Sequence, residues 1–223
     1  MNIDPRTAFE SCETLMLDMD GTILDLAFDN YVWRDLVPRR YAAHMNLTVE
    51  DSKAYLFELY SHVDGDLEWY CLDHWSERLG IDIMGLHHDI SHRIGYLPGA
   101  REFLAAVAER DMRVLLVTNS HPGTLELKDA VTGLGDYFDN LHSSHVYGHA
   151  KERQSFWRAL QEVEPFDPAT TLFIDDTQPV LDSAREYGVG MLLTVTVPDT
   201  LEPRRSGSQY AAVERLSDLL ERS

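Results

Sequence analysis

Short apolar runs that end in acids, hydroxyls or a turn restrict this chain more than any other feature. They lie at residues 14–19 (TLMLDM), 113–117 (RVLLV), 171–174 (TLFI) and 191–195 (MLLTV). Each is near-continuously apolar, as strands are when both faces of a sheet are covered. Between and beyond them, residues 100–110, 124–134, 152–163, 178–187 and 211–221 carry helical spacing, and 138–142 adds a weak strand. Strand alternates with helix. The chain is therefore read as α/β, a Rossmann-like doubly wound parallel sheet with helices on both faces.

From Ala27 to Gly95 the texture changes. Aromatic and aliphatic residues recur at helical intervals with no convincing strand, which predicts about four helices. Thr48 with Asp51 has the form of a capping box that opens one of them. Pro98-Gly99 marks the return to alternation. The expected division is a core of residues 1–26 and 96–223, with an all-helical domain of residues 27–95 inserted after the first strand. Residues 198–209 (PDTLEPRRSGSQ) read as an exposed, mobile loop.

A chain of 223 residues can bury the core of one domain plus an insertion. No run reaches the ~20 apolar residues of a membrane span. The first ten residues lack the basic and apolar regions of a signal peptide, so the cytoplasm is the expected location. In that compartment Cys12 and Cys71, the only cysteines, are expected as free thiols. A net charge of −19 repels nucleic acids and anionic membranes. An anionic small-molecule substrate would need local positive groups or a bound cation to overcome that field.

In a parallel sheet the chemistry lies at the carboxyl ends of the strands. There stand Asp18, Asp20, Gly21 and Thr22 after the first run, Thr118, Asn119 and Ser120 after the second, and Asp175 with Asp176 after residues 171–174. Lys151 opens the intervening helix after Gly148-His149-Ala150. Each has an ordinary reading. Two acids with a glycine make a capped loop, Thr-Asn-Ser a polar turn, and adjacent acids usually cap the next helix. All four together, in order at strand ends, fit phosphoryl transfer. Asp18 can attack phosphorus, and Asp20 can protonate the departing oxygen and later activate water. Thr118 and Lys151 can hold the phosphoryl oxygens, and a hard dication can sit between phosphate and Asp18 and Asp176. Gly21 permits a close backbone approach.

Asp18-Met19-Asp20-Gly21-Thr22, Thr118-Asn119-Ser120, Lys151 and Asp175-Asp176 resemble the four ordered motifs of haloacid dehalogenase-type hydrolases. The helical insertion resembles the cap of their first subclass. The resemblance implies a sheet order of 5-4-1-2-3 and Mg²⁺ as cofactor, with Mn²⁺ a possible substitute. It implies Asp18 as nucleophile, and Asp20 as acid/base with its backbone carbonyl on the metal. It further implies Thr118, Asn119 and Lys151 on the phosphate, Asp176 as direct metal ligand and Asp175 as outer contact. Many relatives carry G-D-x-x-x-D in the last motif; with Asp176 at its first acid, Val180 stands at its second, so Asp175 is expected to supply the water contact. Residues 24–38 (LDLAFDNYVWRDLVP), 67–83 (LEWYCLDHWSERLGIDI) and 171–184 (TLFIDDTQPVLDSA) resemble bacterial 5′-nucleotidases of this superfamily that act on GMP and IMP.

The expected activity is thus phosphomonoester hydrolysis by a monomer or homodimer, on a nucleoside monophosphate. The alternatives are a phosphatase of sugar phosphates or other small metabolites, a phosphomutase, a dehalogenase, or a Mg²⁺-binding module without turnover. Asp20 disfavours the dehalogenase, because a halide leaves without a proton. His88 with His92, and His142 with His145 and His149, have spacings that fall short of a metal site without paired cysteines. His121-Pro122 reads as a helix start close to the site. Of the aromatics Trp33, Trp69, Tyr70 and Trp75, most are expected in a core. Trp69, Tyr70 and Trp75 are the candidates for substrate recognition.

Overall fold

The computed structural model describes residues 4–63 and 65–220. Six strands form one sheet: β1 (Thr14–Leu17), β2 (Arg113–Thr118), β3 (Asn140–Ser143), β4 (Thr171–Ile174), β5 (Met191–Val195) and β6 (Ala211–Val213). All pairings are parallel, in the order β3-β2-β1-β4-β5-β6. The order expected from the resemblance is present, with one further strand at the β5 edge. Every residue of β1 is buried, because β1 is paired on both sides and covered on both faces. Leu15 and Leu17 turn to one face with Val114, Leu116, Leu172 and Ile174. Met16 turns to the other with Leu115, Val117 and Phe173. That two-sided burial explains the unbroken apolar runs.

The helices are α1 (Pro5–Ser11), α2 (Ala27–Tyr31), α3 (Val37–Met45), α4 (Val49–Ser61), α5 (Leu72–Leu79), α6 (Ile83–Asp89), α7 (Ala100–Ala108), α8 (Pro122–Thr132), α9 (Ser144–Tyr147), α10 (Gln154–Val163) and α11 (Gln178–Tyr187). Phe9 of α1 and Phe103 of α7 join the first face of the core. Phe156, Trp157 and Leu160 of α10 and Leu181 of α11 join the second. The helix expected at residues 211–221 is instead β6 followed by a 3₁₀ turn, Leu216–Leu219; Glu221 lies outside the described residues. Ala211, Ala212 and Val213 pair with Leu193, Thr194 and Val195. An open sheet edge overrides the helix propensity of two alanines. α10 also starts later than expected, at Gln154, so Lys151 stands in the turn before it.

Among the described residues of 27–93 there is no strand, and the ends of this block lie side by side. Asp25 N–H donates to Gly95 O (2.9 Å) and Leu97 N–H to Ile23 O (2.8 Å). α2 and α3 are joined by a π turn, Val32–Leu36, in which Val37 N–H reaches back to Val32 O. Pro38, next in line, has no N–H to offer, and the wider turn accommodates that. Thr48 Oγ1 accepts from Asp51 N–H (3.1 Å) at the start of α4. Asp51 answers the Thr48 hydroxyl (2.8 Å) and not its backbone, so half of the expected capping box forms.

Trp75 of α5 is fully buried at the centre of this helical block, ringed by Tyr60 at 5.0 Å, Trp33 at 6.0 Å and Trp69 at 6.1 Å between centroids. Its Nε1–H donates to Trp69 O (2.9 Å). Among the described residues no helix is long and apolar enough to cross a membrane, and Cys12 and Cys71 are both free. Trp75→Ala should lower the stability of the protein by about 3–5 kcal/mol, read as a reduced urea midpoint.

Candidate active site

Asp18 follows the last residue of β1, the strand at which the chain order across the sheet reverses. It is only 5% exposed. Lys151 Nζ donates to Asp18 Oδ1 (2.5 Å), Asp175 Oδ2 (2.8 Å) and Val117 O (3.0 Å), so one ammonium ties together the ends of β1, β2 and β4. Burial, the largest influence, pulls Lys151 down, but the charges of Asp175 and Asp18 carry it above its ordinary value. The lysine is held by its own turn. Asn119 Oδ1 accepts from Lys151 N–H (2.9 Å), and Asn119 Nδ2 donates to Glu152 Oε2 (3.0 Å). Both ends of the Asn119 amide therefore serve the Lys151 turn. Thr118 Oγ1 accepts from Ser120 N–H (3.0 Å) and lies beside the cleft.

Asp18, Asp175 and Asp176 bring oxygens within 4.8 Å of one another, a hard donor set that could hold a divalent cation. Burial, followed by the neighbouring charges, pushes Asp18 well above the usual carboxylate range, and Lys151 only partly opposes this. Asp176 is pushed up to about 6 by burial and Asp175. Both oxygens of Asp175 are engaged, by Lys151 and by Thr177 N–H (2.8 Å). Asp176 Oδ2 meets the half-exposed Arg205 Nη1 at 2.9 Å. Gly21 packs against Asp176 with φ +84°; a Cβ there would lie 2.7 Å from Asp176 Cγ. Only glycine allows that approach.

Asp20 Oδ1 accepts from Lys128 Nζ (2.7 Å), which also donates to both oxygens of Asp29 (2.8 and 2.9 Å). Burial and then Asp29 push Asp20 up to about 6, against Lys128. Neither Lys128 nor Asp29 was singled out from the sequence, although a signal existed. The chain has three lysines, Lys53, Lys128 and Lys151, and Lys128 shares the buried stripe of α8 with Thr124 and Leu127.

These groups open into a cleft of about 1380 Å³. Asp18, Asp20, Thr118 and Lys151 form its base, Trp33, Tyr60, Trp69, Tyr70 and His87 a wall from the helical block, and Arg204 to Ser208 another side. The segment expected as a loop thus borders the site. Tyr70 OH donates to Glu152 Oε1 (2.7 Å), which links the helical block to the Lys151 turn. Trp75 is not part of the wall; it lies buried behind Trp33 and Trp69. His121 lines the cleft and caps α8 through Nδ1, which accepts from Gly123 N–H (3.2 Å). It meets His145 and Cys71, not the histidines nearest in sequence. With Nδ1 accepting, Nε2 carries the proton and faces the exposed Asp73 at 3.6 Å, beyond hydrogen-bond reach, while Nε2 of the neighbouring His145 is buried with no hydrogen-bond partner among the described residues. His142 pairs with Glu164 (3.1 Å) and Tyr147 (2.7 Å).

Comparison with known proteins agrees with this geometry. A model of the haloacid dehalogenase-like hydrolases matches residues 12–188. The GMP/IMP nucleotidase YrfG of Escherichia coli (strain K12) is 40% identical over 193 residues, 86% of this chain and 87% of that one. A nucleotidase of the same name from Shigella flexneri matches equally. Among solved structures, the HAD phosphatase of Thermococcus onnurineus superposes with a TM-score of 0.77 at 17% identity, over 93% of this chain and 95% of that one. The L-2-haloacid dehalogenase of Xanthobacter autotrophicus gives 0.62 at 19% identity, over 93% and 96%. The chain belongs to the haloacid dehalogenase-like hydrolases and is an enzyme of their phosphatase kind.

Proposed function

We propose that this enzyme is a Mg²⁺-dependent 5′-nucleotidase that hydrolyses purine nucleoside monophosphates, GMP and IMP foremost, through a phospho-aspartate on Asp18. The observation that carries the hydrolytic part is the Asp18–Lys151–Asp175 bridge at the base of the cleft. It presents a buried carboxylate beside a fixed positive charge where a phosphate would enter. Residues 27–95 act as a cap over the core of residues 1–26 and 96–223, and supply the wall that selects the leaving group.

In the first step an Asp18 oxygen bonds to phosphorus as the ester P–O bond breaks, and Asp20 passes its proton to the departing alkoxide. In the second, water attacks phosphorus, Asp20 takes its proton, and the Asp18–phosphate bond breaks. Lys151 and Thr118 hold the phosphoryl oxygens, and Asn119 keeps Lys151 in position. Asp18, Asp176 and the Asp20 backbone carbonyl would hold the metal, with Asp175 acting through water. Mg²⁺ when bound neutralises the repulsion between phosphate and carboxylates. The crowding that raises Asp18 and Asp176 supports a cation there.

The substrate rests on the similarity to the GMP/IMP nucleotidase and on the cleft wall. Trp33 and Trp69 offer aromatic faces, and base stacking is worth about 1–3 kcal/mol. His87 Nδ1 meets the Ile83 carbonyl at 2.8 Å and therefore donates, which leaves Nε2 as an acceptor. Guanine and hypoxanthine carry an N1–H that an acceptor can bind; adenine presents a lone pair there.

Asp18→Asn should reduce turnover by at least about 10³-fold, since an amide is a poor nucleophile; substantial hydrolysis by the purified variant would refute the covalent route. EDTA should abolish activity and Mg²⁺ restore it. Folding raises the carboxyls of Asp20 and Asp176, so the metal-free protein loses stability as pH rises through about 6. Mg²⁺ should accordingly raise Tm more at about pH 7.5 than at about pH 5.5; an equal rise at both would contradict the crowded-carboxylate site. GMP and IMP should exceed AMP and pyrimidine nucleotides in kcat/KM. A sugar phosphate that surpasses every nucleotide would remove the nucleotidase reading and leave the phosphatase.

A further inference from the structure

Lys128 is 1% exposed, yet neither it nor Asp29 takes part in the chemistry described above. Its Nζ lies between two carboxylates that belong to different parts of the chain. Asp20 is on the loop after β1, and Asp29 is in α2, the first helix of the cap. Asp20 Oδ1 is occupied by that ammonium, while Asp20 Oδ2 takes no hydrogen bond from the described residues and Asp20 borders the cleft. A merely structural ion pair would be an expensive choice at such a site, because an apolar side chain fills a buried space without desolvating three charges. The lysine's benefit is directional. A compact ammonium fixes which oxygen of Asp20 is turned inward and which is left for the leaving group. Phe28, beside Asp29, also packs its ring 5.4 Å from Nζ, which confines the side chain on the cap side.

We propose that Lys128 is a positioning residue for proton transfer, and that Asp29 makes its grip on Asp20 depend on the seating of the cap. With α2 docked, Asp29 anchors Nζ from one side and Nζ holds Asp20 Oδ1 from the other. If α2 moves away, the ammonium loses two of its three carboxylate contacts and Asp20 its fixed rotamer. The acid is thereby aligned when the cap covers the substrate. This rests on Asp20 as proton donor, and is independent of which nucleotide, if any, is the natural substrate.

The test uses aryl phosphates of similar size and differing leaving-group acidity, from 4-nitrophenyl to 4-methoxyphenyl phosphate, so that cap selectivity is held constant. A poor leaving group needs the proton more than a good one. Lys128→Met should lower kcat/KM for 4-methoxyphenyl phosphate by about 10–100-fold and for 4-nitrophenyl phosphate by less than about 3-fold, a steeper leaving-group dependence. Asp29→Asn, which keeps the Lys128–Asp20 contact, should steepen it in the same direction by a smaller factor, and remains informative if Lys128→Met does not fold. Asp20→Asn is the reference and should be the steepest. A uniform loss across the series in Lys128→Met, or an unchanged slope in Asp29→Asn, would overturn the proposal. A flat series in Asp20→Asn would overturn the assignment of Asp20 along with it.

Discussion

The site is organised by one buried ammonium. Lys151 lies between Asp18 and Asp175, at the meeting point of three strand ends, and all three groups are almost wholly removed from water. Taking charges out of water is costly unless each is paired, so a bridge of this kind is sensitive to the loss of any partner. Its surroundings are arranged accordingly. Asn119 fixes the backbone of Lys151, Trp157 Nε1–H donates to its carbonyl at 2.9 Å, and Thr177 N–H takes the remaining oxygen of Asp175. Asp18 is thereby presented at the foot of the cleft by hydrogen bonds that leave it little freedom.

Electrostatics also explains how a chain of net charge −19 can receive an anion. Of its three lysines, two are buried here, each between two acids: Lys151 lines the cleft, and Lys128 lies behind the cleft residues Asp20 and Asp29. The arginines Arg204 and Arg205 border it from the segment before β6, and Arg205 meets Asp176. Positive groups thus stand beside the carboxylates of the site, and arginines elsewhere pair with single acids on the surface, such as Arg40 with Asp89 and Arg185 with Asp182. Lysine suits the buried positions because its charge is compact enough to sit between carboxylates, whereas a guanidinium demands a planar fork.

The helical block joins this site by polar and apolar means at once. Tyr70 bonds Glu152 beside Lys151, and Lys128 of α8 bonds Asp29 as well as Asp20, so the surroundings of both buried lysines reach the helical block. Behind these contacts Trp75, Tyr60, Trp33 and Trp69 pack edge to face, which gives the cleft wall a rigid apolar backing. Aromatics at similar helical spacing therefore divide by depth: Trp69 and Tyr70 reach the cleft and Trp75 does not. No periodicity in the sequence separates those two fates, because both lie on the inward side of their helices.

The sequence by itself determined the parallel sheet, the helical insertion and the convergence of Asp18, Asp20, Thr118, Lys151, Asp175 and Asp176. Those follow from local signals, since a run buried on both faces is uniformly apolar and a site residue in such a sheet must stand at a strand end. The tertiary structure alone decided that residues 211–213 complete the sheet, that Asn119 serves the Lys151 turn, that Arg205 meets Asp176, and that Lys128 joins Asp20 to Asp29. Lys128 is 108 residues from Asp20 and 99 from Asp29. A periodic pattern reports which side of an element is buried, but a charge finds its partner through the docking of whole elements, and that depends on packing among residues far apart in the chain.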